Sequence, residues 1–251
     1  MMKKSLLFLL IIVSFLLSAP INTIKISAED GLSVTADEYL SEDKNAPFVL
    51  LFHRARWSRG EYRETAPLLN KLGFNCIAID QRSGDRVNNV ENETARRAAE
   101  KKMDTHYLAA YKDMEAALAY VIEKYNPSKI LIVGSSYSAA LVFRMAAENQ
   151  EHIDGVIAFS PGEYFSRLGE SDKYISRFAE QVKCPVFVTS AANEKESWEG
   201  IYNAVPGLKK TSFLPEKGGY HGSEALWSSH PISGEYWQAV NKFIKEYKLN
   251  K

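Results

Sequence analysis

The 251 residues are 45% hydrophobic and 25% charged, with 31 Lys+Arg against 31 Asp+Glu. This is the composition of an ordinary folded protein, which excludes disorder and collagen-like repetition, and a chain of this length buries a substantial core without disulfides. A formal net charge of zero with no long basic run excludes the electrostatic footprint of general nucleic-acid binding or stable adsorption to anionic membranes, so a small-molecule or protein substrate is expected.

The N-terminus reads as an address. Met1 to Lys4 is a short basic stretch, and Leu6 to Leu17 is almost wholly Leu, Ile, Phe and Val. That is the length of a signal-peptide apolar region and short of the roughly 20 residues of a bilayer span. Pro20 then interrupts the run, and small residues at Ser18-Ala19 and Ser27-Ala28 mark two candidate cleavage positions. A signal peptide within 1–28 and an exported domain over 29–251, periplasmic or extracellular, are expected. Membrane contact follows only if the segment stays uncleaved.

From Thr23 onward, short apolar runs alternate with longer segments of helical period, the pattern of a mostly parallel sheet covered by helices. An opening hairpin over Thr23 to Ala28 and Leu32 to Leu40 turns at Glu29-Asp30-Gly31. Six buried strands follow: Phe48 to His53, Asn75 to Asp80, Lys129 to Gly134, Gly155 to Ser160, Pro185 to Ser190 and Thr211 to Leu214. Helices are predicted over Glu61 to Leu72, Met103 to Tyr125, Tyr137 to Asn149, around Lys173 to Gln181, Glu196 to Asn203 and Gly234 to Tyr247. One long irregular stretch, Ser83 to about Lys102, becomes helix-like only near Glu93 and carries the sequon Asn92-Glu93-Thr94. Cys76 and Cys184 sit in apolar segments and read as free thiols, and the five histidines show no ligand spacing, so no metal is expected.

The sharpest chemical feature is the run from Ile130 through Val133-Gly134-Ser135-Ser136-Tyr137-Ser138 to Leu141, a buried strand entering a helix through a tight turn. A nucleophile elbow of this kind needs small residues two before and two after the nucleophile, so that strand and helix can approach. Centring on Ser136 supplies Gly134 and Ser138; centring on Ser135 would place Val133 and Tyr137 there. Ser136 is therefore the candidate nucleophile.

With this motif the sequence resembles the α/β-hydrolase superfamily, closest to its small dienelactone-hydrolase-like members, over nearly everything after the signal segment. It departs from the family's G-x-S-x-G where Ser138 replaces the last glycine. The resemblance implies an α/β-hydrolase fold with a mostly parallel eight-stranded sheet and helices on both faces. The short span from Pro161 to Lys183 leaves no room for a large cap domain. The resemblance further implies the chain order nucleophile, acid, histidine. His221, in the Gly-rich turn Gly218-Gly219-Tyr220-His221-Gly222 after the last strand, fits the base, with His230 its competitor. Glu194, just after the seventh strand, fits the acid that orients it, with Glu196 and Glu163 as competing candidates.

Backbone donors for a developing oxyanion are expected from Tyr137, the residue after the nucleophile, and from Ala55. Ala55 lies in a loop where Arg54 stands in place of the family's glycine. His53 reads as a strand-end histidine bonding backbone. Arg54, Arg56, Arg59 and Arg63 follow the third strand and Arg82 and Arg86 the fourth, strands that the resemblance makes neighbours, and Arg54, Arg56 and Arg82 are the candidate contacts to an anionic substrate group. Trp57, Tyr62 and Tyr164 are candidate pocket aromatics. The function expected is ester-type acyl cleavage through an acyl-enzyme, with a small-molecule acyl substrate and no cofactor. The alternatives are peptide or thioester cleavage, acyl transfer, or a non-catalytic binding protein on the same fold.

Overall fold

The computed structural model describes residues 21–207 and 209–250; the expected signal segment up to residue 20 lies outside them. Eight strands form one sheet: β1 (Asn22–Ser27), β2 (Ser33–Tyr39), β3 (Phe48–Phe52), β4 (Asn75–Ile79), β7 (Ile130–Ser135), β8 (Gly155–Phe159), β9 (Val186–Thr189) and β10 (Lys210–Phe213). Their spatial order is β1-β2-β4-β3-β7-β8-β9-β10. The β1–β2 and β2–β4 pairs are antiparallel and the rest are parallel. The other two strands, β5 (Arg86–Val87) and β6 (Val90–Glu91), pair only with each other.

Strand alternation explains why both faces are covered. On β3, Phe48, Leu50 and Phe52 enter one core while Val49 and Leu51 enter the other; β7 divides Ile130 and Ile132 from Leu131 and Val133 in the same way. The first core is closed by α3 (Tyr111–Tyr125), α4 (Tyr137–Glu148), α5 (Tyr174–Ala179) and α6 (Lys195–Ala204), through residues such as Met114, Phe143, Ile175 and Trp198. The second is closed by α1 (Thr65–Lys71) and α7 (Ser233–Glu246), through Leu69, Tyr236, Val240 and Phe243. Phe143 is wholly buried, and its truncation to Ala would cost about 3–5 kcal/mol.

Two helix expectations are corrected, and the helix expected near Glu93 starts there. The predicted helix over 61–72 is a 3-10 turn (Arg59–Tyr62) followed by α1, which starts late enough to keep Pro67 in its first turn, where the missing N–H is harmless. The helix predicted from Met103 begins only at Tyr111. Asp104 accepts the His106 N–H and His106 Nδ1 accepts the Ala109 N–H, side-chain bonds that compete with helix. The stretch 83–102 is ordered: the ribbon β5–β6 turns through left-handed Asn88 and Asn89, and α2 (Glu93–Glu100) starts at Glu93. Asn92 of the sequon is buried as the cap of α2, accepting the Ala95 N–H and donating to the Gln81 carbonyl. Its amide is closed to glycosylation in the fold.

Candidate active site

The carboxyl ends of β3, β7, β8, β9 and β10 all open on one edge of the sheet, where a parallel α/β fold gathers its functional loops. At the centre, β7 passes directly into α4. Ser136 occupies the junction with φ 61° and ψ −120°, a left-handed conformation that costs a non-glycine residue on the order of 1–3 kcal/mol. Gly134 is obligatory here, since a Cβ would lie 2.5 Å from the Ser138 carbonyl oxygen and 2.6 Å from Ala139 Cα. Ser138 is more than a tolerated substitute for glycine: its hydroxyl accepts the Ser135 N–H and lies 2.7 Å from the Phe52 carbonyl, tying the elbow to β3.

The three predicted side chains meet. His221 Nε2 is 2.8 Å from Ser136 Oγ, and His221 Nδ1 is 2.6 Å from Glu194 Oε1. A neutral imidazole in this setting donates from Nδ1 to the carboxylate and accepts the serine proton at Nε2. Glu194 ends the 3-10 turn Ala192–Glu194 after β9. Partial burial pushes its carboxyl up, but hydrogen bonds from His221, Ser160 and the Ala191 N–H outweigh this and hold it below its ordinary value.

The competing residues are engaged elsewhere. Glu163 accepts the Ile175 and Ser176 N–H groups at the start of α5, Glu196 is exposed on α6, and His230 stacks on Tyr220 with ring centroids 3.5 Å apart. Sequence reading missed Ser160, the residue just after β8. Its hydroxyl donates to Glu194 Oε2 at 2.7 Å and accepts the Gly222 N–H at 2.9 Å, so it joins the acid to the histidine turn. The one local signal was a small residue at a strand end, and its left-handed φ of 55° is invisible in sequence.

On the other side of Ser136, the β3 loop is fixed by His53. The ring is fully buried; its Nε2 accepts the Gln81 N–H at 2.8 Å, which leaves Nδ1 to donate to the Arg54 carbonyl at 2.7 Å. Burial pushes this imidazole down to about 4, against the smaller opposing effect of its backbone bonds, so it is neutral near pH 7. A trans peptide is planar, so anchoring the Arg54 carbonyl points the Ala55 N–H the opposite way. Among the described residues, neither the Ala55 nor the Tyr137 N–H donates to a protein acceptor.

The arginine cluster divides sharply. Arg82, a candidate substrate contact, is instead a buried structural cation: its guanidinium is 2.8 Å from Asp113 and 2.6 Å from Asp30. Arg59 is likewise buried between Asp80 and Asp37. Arg54 is committed to Glu224 at 2.7 Å and to the His221 carbonyl at 3.0 Å, and lies over the Trp57 ring. It braces the histidine turn rather than waiting for a ligand. Arg56 alone of the three is exposed, and it lines, with Ser83, Gly84 and Tyr107, a cleft of about 340 Å³. Tyr107 stacks on Tyr137, the residue next to Ser136. Tyr62 does not reach the site, being buried with its hydroxyl on the Phe52 carbonyl; Tyr164 donates to the Ser160 carbonyl, and Trp57 stacks on Trp227.

This fold and this elbow define a serine hydrolase of the α/β-hydrolase superfamily, and the similarities to known proteins agree. The family model described as serine aminopeptidase, S33, matches residues 43–182, and the chain belongs to that family. Among solved structures, an esterase of Pyrococcus furiosus superposes with a TM-score of 0.69 at 17% identity, over 90% of this chain and 92% of that one. A dienelactone hydrolase of Anabaena variabilis gives 0.69 at 14%, over 91% and 98%. An acylaminoacyl peptidase of Pyrococcus horikoshii gives 0.67 at 15%, over 92% of this chain but 42% of the peptidase. At such identities the likeness is one of fold. No curated protein matches the sequence.

Proposed function

We propose that the protein cleaves ester-type acyl bonds through an acyl-enzyme on Ser136. His221 acts as general base and then acid, Glu194 orients it, and the Tyr137 and Ala55 N–H groups receive the oxyanion. The observation that carries this reading is the continuous bonded line Ser136–His221–Glu194 on a strained elbow. His221 takes the hydroxyl proton as Ser136 Oγ attacks the acyl carbon, the C–O bond to the leaving alcohol breaks as His221 returns the proton, and water repeats the sequence to free the acid.

Small esters are favoured over N-terminal peptide bonds because the acids bonded into the surrounding loops are already occupied. Glu61 is held by Arg54 and Ser223, Glu163 by α5, and Glu224 by Arg54, so none of these is free to hold an α-ammonium group. Between β8 and β9 the chain forms only the 3-10 turn Ser166–Leu168 and the six-residue α5, which suits an open site. The test is turnover of a panel of p-nitrophenyl esters and aminoacyl anilides. Esters hydrolysed and anilides inert is the expected result; faster anilide cleavage overturns the ester assignment. Arg56 is the arginine left to meet an anionic substrate group, and Arg56→Ala is expected to raise KM severalfold for carboxylated esters and leave neutral ones unchanged.

Export is part of the same reading, resting on the basic and apolar pattern of residues 1–17. Cleavage near residue 19 would keep β1, which pairs with β2 along Asn22–Ser27, in the mature chain; cleavage near residue 28 would remove it. N-terminal sequencing of the exported protein decides between them, and a mature N-terminus retaining Met1 contradicts cleavage.

A further inference from the structure

Glu61 is a fully buried carboxylate that the reaction as described does not use. Its Oε2 accepts the Arg54 N–H at 2.8 Å and its Oε1 accepts the Ser223 hydroxyl. Ser135 Oγ in turn accepts the Ser223 N–H at 2.9 Å. The approach is close: a Cβ on Gly222 would fall 2.5 Å from Ser135 Oγ. Even the Glu61 carbonyl takes part, accepting Trp227 Nε1 at 3.0 Å.

Each of these partners sits beside a different working part. Arg54 immediately precedes Ala55, Ser135 precedes Ser136, and Ser223 follows His221 by two residues. Among the described residues no basic side chain forms an ion pair with Glu61. A buried carboxylate without a cation is expensive, and three loops could be packed more cheaply on apolar side chains. What an apolar residue could not do is accept hydrogen bonds on two oxygens from two separate chain segments, one of them bonded in turn to the elbow through Ser135, and so fix their relative positions.

We propose that Glu61 is the positioning residue that holds the oxyanion loop, the nucleophile elbow and the histidine turn in mutual register; this rests on the reading of Ser136 and His221 as the reacting pair. Misplacing reacting groups by about 1 Å costs on the order of 100-fold in rate, and substrate binding away from the reacting centre need not change.

The test uses the full mature protein with two substitutions. Glu61→Gln keeps the shape and an oxygen for the Arg54 N–H but replaces one acceptor with a donor; Ser223→Ala cuts only the arm to the histidine turn. Thermal unfolding reports folding, and ester kinetics and the rate of fluorophosphonate labelling report the site. For folded Glu61→Gln the expected result is kcat and labelling rate lower by roughly 10- to 100-fold with KM within about twofold. Ser223→Ala is expected to show a smaller loss in the same two quantities, and the double variant to be no worse than Glu61→Gln alone.

A variant that loses thermal stability but keeps the kcat and labelling rate of the wild type per folded molecule gives Glu61 a merely structural role and overturns the proposal. Should Glu61→Gln not fold, Ser223→Ala decides: an unchanged kcat overturns it. A wild type that neither hydrolyses esters nor labels would contradict the functional reading itself, a result distinct from either of these.

Discussion

The turn after β7 and the excursion after β4 leave the same edge of the sheet and are built on opposite principles. The first is one residue long and local: Gly134, Ser136 and Ser138 lie within five positions, and steric necessity fixes them. The second runs from Asp80 to Ala110 and is held by partners far away in sequence: Arg59 to Asp80 and Asp37, Arg82 to Asp113 and Asp30, and Asn92 to Gln81 and Trp57. The elbow stores strain at Ser136, the proposed nucleophile; the excursion spends buried charge on keeping an irregular chain in one shape.

If this contrast is right, damage to the two regions should read out differently. The largest expected effect is on chemistry: Ser136→Ala or Glu194→Gln should lower kcat/KM by roughly 10⁴-fold. Their thermal unfolding should stay close to that of the wild type. Equal losses of stability and activity would show that the elbow is no more local than the rest.

Next comes Asp113→Ala, which strips Arg82 of its bidentate partner in a buried setting. Removing one member of such a pair costs about 3–5 kcal/mol, measured as a shift in denaturant midpoint, with the kcat of the folded fraction retained. A cost below about 1 kcal/mol would show that the ion pairs do not hold the excursion.

Somewhat smaller is the pH effect of His53, which ties the start of the excursion to the loop after β3. Its folded value near 4 against 6.5 when exposed means that the unfolded chain binds the extra proton between these limits. Stability contributed by the neutral ring is therefore complete above about pH 6.5 and is lost as pH falls toward 4, by roughly 3 kcal/mol. Urea unfolding of the wild type and His53→Gln across this range isolates the term: the variant should show the shallower loss. Parallel curves would contradict the assignment.

The same contrast explains what sequence reading could reach. All eight strands of the main sheet, and the elbow between the fifth and its helix, were legible because short apolar runs and small-residue spacing are local signals. Ser136, Glu194 and His221 were singled out by strand-end position and by the chain order of the family the sequence resembles, and the structure brings them within bonding distance. Arg82 was misjudged because sequence shows a guanidinium near the rim but not the two carboxylates, Asp30 and Asp113, that fold around it. Ser160 went unnoticed, and Glu61 reads in sequence only as an acid neutralising arginines, for a related reason: a serine and a glutamate gain meaning from partners 34 and 162 positions away.

The most direct measurement is covalent labelling of the mature protein by a fluorophosphonate probe, with the modified residue located by peptide mass spectrometry. An activated Ser136 predicts one label, on Ser136, abolished in Ser136→Ala and in His221→Ala. A folded wild type that does not label, or a label carried by Ser135 or Ser138, would contradict the account.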